Sequence, residues 1–469
     1  MKHSASYRTS TTVTPCHTAG MGFVAIADVA ERRRIASFDA GKFLAVVDGE
    51  ILNVRELRAA GESADAGDAE FVLREYRRHG TAFIARLEGK FSAAIWDGDR
   101  RRLLLIADRF GMKPLFYRRR DKRLAFGAEA KTLFSSVLRP RTDVRSLAIF
   151  LSYGQLLEDR TLYQEVRVLP AAHILSIEAD TGSSELQRYW RPEPTRRSPT
   201  IRADEILEQL DGAFQRSVDR ATRDTNGLGI SLSGGLDGRT MMAAIDHERI
   251  PITSLCSGMP GSLDHRCARK ISELTNRRHD EHALDLGFLG NYDRYIKWMV
   301  HLTDGQYLDQ GIVIPTLARY RELGIRVLLR GHAGEMLHMD KAYNFSVDES
   351  ALAIRSQEEL ERWCLTRLQG FMLDGVETRL LRDLSLSEMR AISAESLRRC
   401  LSESDYLEHP LDRLTHLFLS QRSRRETAMS LTIFGSTLET RVPYLDREIV
   451  EYVLSLPSSY RIGDRIQTA

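Results

Sequence analysis

The chain has 469 residues, 42% of them hydrophobic and 28% charged, with a net charge of +2. That length suggests about two to four domains, and the near-neutral charge gives no ground for a nucleic-acid partner. No apolar run approaches the ~20 residues that span a bilayer, so no membrane partner is expected. Residues 1–20 are polar and lack the apolar core of a signal peptide, which makes a cytoplasmic protein the expectation. The cysteines, Cys16, Cys256, Cys267, Cys364 and Cys400, are scattered and form no C-x-x-C pair. Neither a disulfide framework nor a zinc site is indicated.

Residues 20–190 read as mostly β. Apolar or alternating runs recur at Phe23–Ala27, Phe43–Val47, Phe91–Trp96, Leu103–Ala107, Leu115–Tyr117, Leu124–Phe126 and Ile174–Ile177, with turns such as Asp97-Gly98-Asp99 between them. Helical spacing appears at Asp68–His79, Lys131–Leu138 and Val144–Tyr153. Two packed sheets with a few helices fit this pattern. Residues 191–200 are proline-rich and polar, and read as a linker.

From Ile201 the character changes. Ile201–Arg223 is amphipathic, with Ile206, Leu207, Leu210, Phe214 and Val218 at helical spacing. A strand-like run, Gly229–Leu232, then enters Ser233-Gly234-Gly235-Leu236-Asp237-Gly238, and Arg239–Ile245 reads as a helix start. Strand, glycine turn and helix together build an anion site, because turn amides and the helix dipole point at one spot. Asp237 beside such a site would be repelled by phosphate unless a cation such as Mg²⁺ lay between them. Ile252–Cys256 and Ile325–Leu329 are further strands, Cys267–Thr275 is a helix, and most of 356–455 is helix-like. Alternating strands and helices imply a parallel α/β sheet with ligands at the strand C-termini.

The motifs in order resemble the asparagine synthetase family. Val47-Asp48-Gly49-Glu50-Ile51-Leu52-Asn53 is similar to V-N-G-E-I-Y-N, and Ala66-Gly67-Asp68-Ala69-Glu70 to G-S-D-x-E. Asp108–Tyr117 and Phe126–Lys131 follow with similar likeness. Ser233–Gly238 resembles S-G-G-L-D-S, Ser257–Asp264 the loop on the adenosine side, and Leu438–Asp446 L-E-x-R-V-P-F-L-D. The resemblance implies an N-terminal α+β sandwich of the N-terminal-nucleophile glutaminase type over 1–190. Over 201–469 it implies an α/β ATP pyrophosphatase domain with a parallel sheet and a large helical extension. The implied activity is adenylation of a small-molecule or peptide carboxylate by ATP, then amide formation with ammonia or an amine. Leu232, Ser233, Gly234, Gly235, Asp237, Ser257, Arg330 and Gly331 would hold the nucleotide, and Asp237 and Glu335 the Mg²⁺. The family reading leaves room for a homodimer.

The departures from the pattern carry expectations of their own. The family's glutaminase uses a cysteine directly after the initiator methionine; here Lys2 stands there and Cys16 is internal. The R-H-R-G-P-D stretch is absent, Phe23 stands where an arginine grips glutamine, and Asp48 replaces the motif asparagine. With Asp48, Gly49, Glu50 and Asp68 as its remnant, the glutamine site is expected to be inactive, as in beta-lactam synthetases. In the second half, His332 replaces an acid. With a pKa near neutrality it would deprotonate an amine; otherwise it only hydrogen-bonds in the pocket. Met336, His338 and Met339 are expected to reshape the acyl pocket or to pack against the helices. The family's lysine falls near Gln467, close to Ala469, so Arg239, Arg330 or Lys341 is expected to supply that cation. His279-Asp280-Glu281-His282 hints at a metal but reads as packing beside the nucleotide loop. Two alternatives stay open: an intramolecular cyclase of the beta-lactam synthetase or lasso-peptide cyclase kind, and a non-catalytic homologue that binds nucleotide or a partner.

Overall fold

The computed structural model describes residues 7–15, 17–26, 35–58, 67–135, 139–193, 201–308, 310–337, 339, 347, 349–369, 384–457 and 460–462. Two compact units form, Met1–Leu147 with Glu158–Arg191, and Ala148–Leu157 with Pro192–Ala469. Residues 148–157, expected in the first domain, therefore belong to the second. The cause lies in helix Val144–Tyr153, which is apolar over most of its length. Its Ala148 and Leu151 pack with Met389 and Ile392, and the Tyr153 hydroxyl donates to the Ser393 carbonyl at 2.8 Å. Of the expected linker, residues 194–200 lie outside the described residues.

The first unit holds β1 (Tyr7–Val13), β2 (Gly20–Ile26), β3 (Ala36–Phe38), β4 (Phe43–Ile51), β5 (Gly89–Asp97), β6 (Arg102–Ala107), β7 (Phe116–Arg120), β8 (Arg123–Gly127), β9 (Val166–Val168), β10 (His173–Glu178) and β11 (Ser184–Arg188). Six of them make one antiparallel sheet in the order β11-β10-β6-β5-β4-β3. Side chains alternate across a strand, so each face collects its own core. Ala45, Val47, Ala93, Ile95, Leu104 and Ile106 face the helix α1 (Asp68–His79) through Phe71, Val72 and Tyr76. Leu44, Val46, Ala94, Trp96 and Leu105 face Met21, Phe23 and Ala25 of β2, with Leu115 and Leu169. Of the expected helix 131–138, residues 136–138 lie outside the described residues, and the rest forms only a short turn, Ala130–Leu133. Thr132 Oγ1 donates back to the Glu129 carbonyl at 2.7 Å, a local bond that competes with helix propagation.

The second unit opens with the helix Ala203–Thr222. A five-stranded parallel sheet follows, with β12 (Leu228–Ser231), β13 (Ile252–Gly258), β14 (Arg278–Ala283), β15 (Val327–Leu329) and β16 (Glu439–Arg441) in the order β14-β13-β12-β15-β16. The chain steps outward from β12 through β13 to β14, then returns to the other side of β12 as β15. Strand order therefore reverses between β12 and β15, where doubly wound sheets open a crevice at their C-terminal ends. Helices Gln357–Leu368, Leu386–Ser402, Pro410–Leu417, Ala428–Gly435 and Arg447–Ser455 supply the helical extension. Among the described residues no helix is long and apolar enough to cross a membrane.

Candidate active site

Three strand ends build the crevice. After β12, Leu232 is buried and its N–H donates to the Leu255 carbonyl at 3.0 Å, which ties the turn to β13. The chain then turns through Ser233–Gly235 into the helix α2 (Leu236–Ala244). The Gly235 N–H donates to Ser233 Oγ at 3.2 Å, and the Gly234 N–H to Asp264 Oδ1 at 3.0 Å. A side-chain carboxylate thus already sits on one amide of the turn, which shows that the amide is set to hold an oxyanion. At the end of β13, Ser257 Oγ is buried and has no hydrogen-bond partner among the described residues.

Asp237 lies in the first turn of α2, pressed against the chain that follows β15. A Cβ on Gly331 would stand 2.8 Å from Asp237 Cβ, and one on Gly334 would stand 2.5 Å from Asp237 Cγ. Only glycine lets the backbone come this close. Between these glycines Ala333 is held at φ 71°, a left-handed conformation that an alanine adopts at a cost of about 1–3 kcal/mol. This kink turns the chain into Gly334–Leu337, which carries Glu335. From beyond β16, the Tyr444 hydroxyl donates to the Asp237 carbonyl at 3.2 Å. Burial, with the negative charges of Asp237 and Glu335 nearby, raises the Tyr444 phenol far above its usual range. One buried phenol thus lies within electrostatic reach of both carboxylates, and Gly334, the residue before Glu335, packs against the Asp237 carboxylate. The sequence places Tyr444 inside a motif but gives it no part in the site, because the strand before it is too short to be read.

Residues 209–468 match the asparagine synthase family, and residues 9–190 match the glutamine amidotransferase domain. The first match takes in more than half of the chain. The chain belongs to the asparagine synthase family. Its similarity to asparagine synthetase [glutamine-hydrolyzing] 2 of Bacillus subtilis is 25% identity over 90% of this chain and 58% of that protein. A putative asparagine synthetase [glutamine-hydrolyzing] of Mycobacterium tuberculosis is 24% identical over 90% of this chain and 70% of that protein. The chain spans little more than half the length of the first relative. Among solved structures, NMN synthetase from Francisella tularensis superposes with a TM-score of 0.23 at 14% identity, covering 48% of this chain and 94% of that one. That likeness is too slight to bear on the fold.

Two alternatives that the sequence left open in the synthetase half are narrowed. His332 is no base near neutrality. Burial, with the Arg330 guanidinium beside it, pushes its imidazole down to about 3. The ring stays neutral and can only donate or accept a hydrogen bond. Met336 and Met339 are fully buried, and Thr415 Oγ1 reaches Met339 Sδ at 3.6 Å, so both pack into the helical extension. His338, Lys341, Gln467 and the chain end fall outside the described residues, and Arg239 is exposed. The run from His279 to His282 is tied into structure instead of gathering on one ion. His279 Nδ1 meets Ser254 Oγ at 2.8 Å, Asp280 accepts from Arg319 Nε at 2.9 Å, and Glu281 accepts from Arg269. Among the described residues no three His, Cys, Asp or Glu side chains form a metal cluster.

In the amidotransferase half Asp48 and Asp68 are tied to neighbouring groups of the same half. Asp48 Oδ1 lies 3.3 Å from Lys113 Nζ, and Asp68 Oδ2 accepts from the Ile51 N–H at 3.1 Å. Gly49 sits at φ 110°, with Phe91 Cα 2.6 Å from where a Cβ would be, so it is held by the sheet itself. Glu50 is half-buried beside it. Where the family motif has an amide that can donate, Asp48 offers a carboxylate that accepts from Lys113. Cys16 lies outside the described residues. Asp108 is fully buried and accepts four backbone N–H groups, from Phe91, Phe110, Met112 and Lys113. Burial still raises its carboxyl to about 6.

Proposed function

We propose that the chain is an ATP-dependent, AMP-forming ligase that adenylates a carboxylate and forms an amide with ammonia or a substrate amine. The observation that carries this reading is the close packing of the Gly331–Gly334 segment, which leads into Glu335, against Asp237 beside the glycine turn, at the switch point of a parallel sheet. The Ser233–Gly235 turn would take the β- and γ-phosphates on its amides, with Asp264 giving way. Leu232 and Ser257 would meet the adenosine. Two carboxylates without a third protein ligand suit Mg²⁺, which completes its shell with phosphate oxygens and water. When bound, the ion would neutralise negative charge on the phosphates.

The protein's own residues set up the rest. A carboxylate oxygen attacks the α-phosphorus, and the bond to pyrophosphate breaks. An amine nitrogen then attacks the acyl carbon, the bond to AMP breaks, and the amine proton leaves to solvent or substrate. Tyr444 fixes the Asp237 backbone, and Gly331 and Gly334 admit its carboxylate. His332 would offer a neutral hydrogen bond to the acyl group. The Asp48–Lys113 pair supports a nitrogen that does not come from glutamine in the first half. An amine on the same substrate would make the enzyme a cyclase of the beta-lactam synthetase or lasso-peptide cyclase kind.

The test is carboxylate-dependent ATP–pyrophosphate exchange, run without glutamine on a panel of amino acids, small acids and peptides. Exchange with at least one carboxylate, lost in Asp237→Ala, supports the ligase. Nucleotide binding without exchange for any of them would favour a non-catalytic homologue.

A further inference from the structure

The helix α2 carries Asp237 but is weakly held where it starts. Its N-cap is Gly235, and no side-chain cap forms. Its third residue is Gly238, and glycine weakens a helix more than any residue but proline. The bond from the Arg239 N–H to the Gly235 carbonyl is 3.4 Å long, against about 2.9–3.0 Å for a well-formed one. Yet this turn needs close placement. A Cβ on Gly334 would stand 2.5 Å from Asp237 Cγ, so the carboxylate has little spare room in its slot.

An anchor comes from two strands away. Tyr444 follows β16, and its hydroxyl donates to the Asp237 carbonyl at 3.2 Å. Its own mount is firm. The Pro443 carbonyl accepts from Ser217 Oγ at 2.7 Å, and Asp446 pairs with Arg220, both partners lying on the helix Ala203–Thr222. The Tyr444 ring is buried, with its centre 4.8 Å from that of Phe214 on the same helix. Burial and the nearby acids hold its pKa high, so the phenol keeps its proton and stays a donor.

The motif that Leu438–Asp446 resembles has phenylalanine at the place of Tyr444, and the one that Ser233–Gly238 resembles ends in serine. Relative to those motifs this chain has one hydroxyl more at 444 and one fewer at 238. A Cβ on Gly238 would stand 3.7 Å from the Ser231 carbonyl oxygen, at the end of β12, and 3.4 Å from Leu232 Cδ1. A serine therefore fits at 238, and its hydroxyl has the Ser231 carbonyl within reach, which would tie the first turn of α2 back to β12.

We propose that the Tyr444 hydroxyl takes the place of the missing hydroxyl at 238 as the anchor of the first turn of α2, which makes Tyr444 a positioning residue for the Asp237 carboxylate. What that placement serves rests on the ligase reading; the anchor itself does not.

Hydrogen exchange of the unliganded protein, followed by mass spectrometry of peptides that cover residues 232–245, reads the anchor directly. Tyr444→Phe keeps the ring and its packing. It should speed exchange of the first-turn amides by about 3- to 10-fold, the weight of one hydrogen bond, and leave peptides of β13 and β14 as they are. A general loss of stability would speed those peptides as well. Gly238→Ser added to Tyr444→Phe should recover most of the protection, and should add less in the wild type, where the anchor is present. ATP–pyrophosphate exchange should follow the same order. Its kcat falls about 3- to 10-fold in Tyr444→Phe with the KM of the carboxylate unchanged, and recovers in the double variant. First-turn amides as slow in Tyr444→Phe as in the wild type overturn the anchor, and so does a loss that Gly238→Ser leaves in place. If the amides respond as predicted but the wild type exchanges pyrophosphate with no carboxylate, the ligase reading falls and the anchor stands.

Discussion

The two halves treat their polar groups in opposite ways. At the synthetase edge, donors are left open: Arg330 Nε and Ser257 Oγ have no hydrogen-bond partner among the described residues. In the amidotransferase half the corresponding groups close on each other, Asp48 on Lys113, Asp68 on the Ile51 amide, and Asp108 on four amides. Arg109 is a partial exception. Its Nη2 donates to the Ala85 carbonyl at 2.8 Å, and its Nε and Nη1 are buried beneath Trp190 without a bond. Buried polar groups are normally paired, so a cluster of open ones marks a place kept for a ligand, and a closed network marks a scaffold. The contrast is the one the proposed function expects between a ligand-binding edge and a supporting half.

The sharpest way to break that contrast is to disturb Asp237. Asp237→Ala should lower ATP–pyrophosphate exchange by at least about 100-fold, as losses around metal-bound phosphates do. Gly334→Ala should do nearly the same without unfolding the protein. The backbone there needs no positive φ, and the three atoms nearest to the new methyl all belong to the Asp237 carboxylate. Equal exchange in wild type and Gly334→Ala would mean that the carboxylate does not work where it sits.

A smaller effect of opposite sign is expected at Asp264. Asp264→Ala frees the Gly234 amide and removes a like charge, so pyrophosphate should bind about 5- to 10-fold tighter in a calorimetric titration. Weaker binding would show instead that Asp264 shapes the turn. Ser257→Ala should raise the KM for ATP about 5-fold, the weight of one neutral hydrogen bond, with kcat unchanged. Asp48→Ala, in the closed half, should change exchange by less than about 2-fold and release no glutamate from glutamine. The pair is half-buried and still reached by solvent, and one such ion pair contributes about 1 kcal/mol, so the melting temperature should move by only a few degrees.

The smallest effect concerns pH. The His332 pKa is lowered, so the ring is already neutral above about pH 4 and loses no proton as pH rises from 5.5 to 8. The exchange rate should show no inflection near pH 6.5 that vanishes in His332→Gln. An inflection of that kind would restore His332 as a base.

Much of this arrangement was legible in the sequence, for identifiable reasons. Apolar or alternating runs located β4, β5, β6 and β10, and helical spacing gave Asp68–His79 with the same ends as the structure. The Ser233–Asp237 turn and Glu335 were legible because glycine turns and acids after strands carry their chemistry in residue type. What stayed hidden depends on tertiary packing. The three-residue strand Glu439–Arg441 is too short to show a period, and Tyr444 after it joins the site only through that pairing. The His332 pKa follows from burial and a neighbouring cation, neither of which residue type reveals. Helix Val144–Tyr153 was found, but the unit it serves was not, because apolarity says that a helix is buried and not against what.

The central claim is that a carboxylate is joined to the α-phosphate. With a carboxylate that supports exchange, an ¹⁸O label in that carboxylate should appear in the AMP released after an amine is added. AMP carrying one labelled oxygen is the predicted product. Unlabelled AMP, or ADP in its place, would contradict the account.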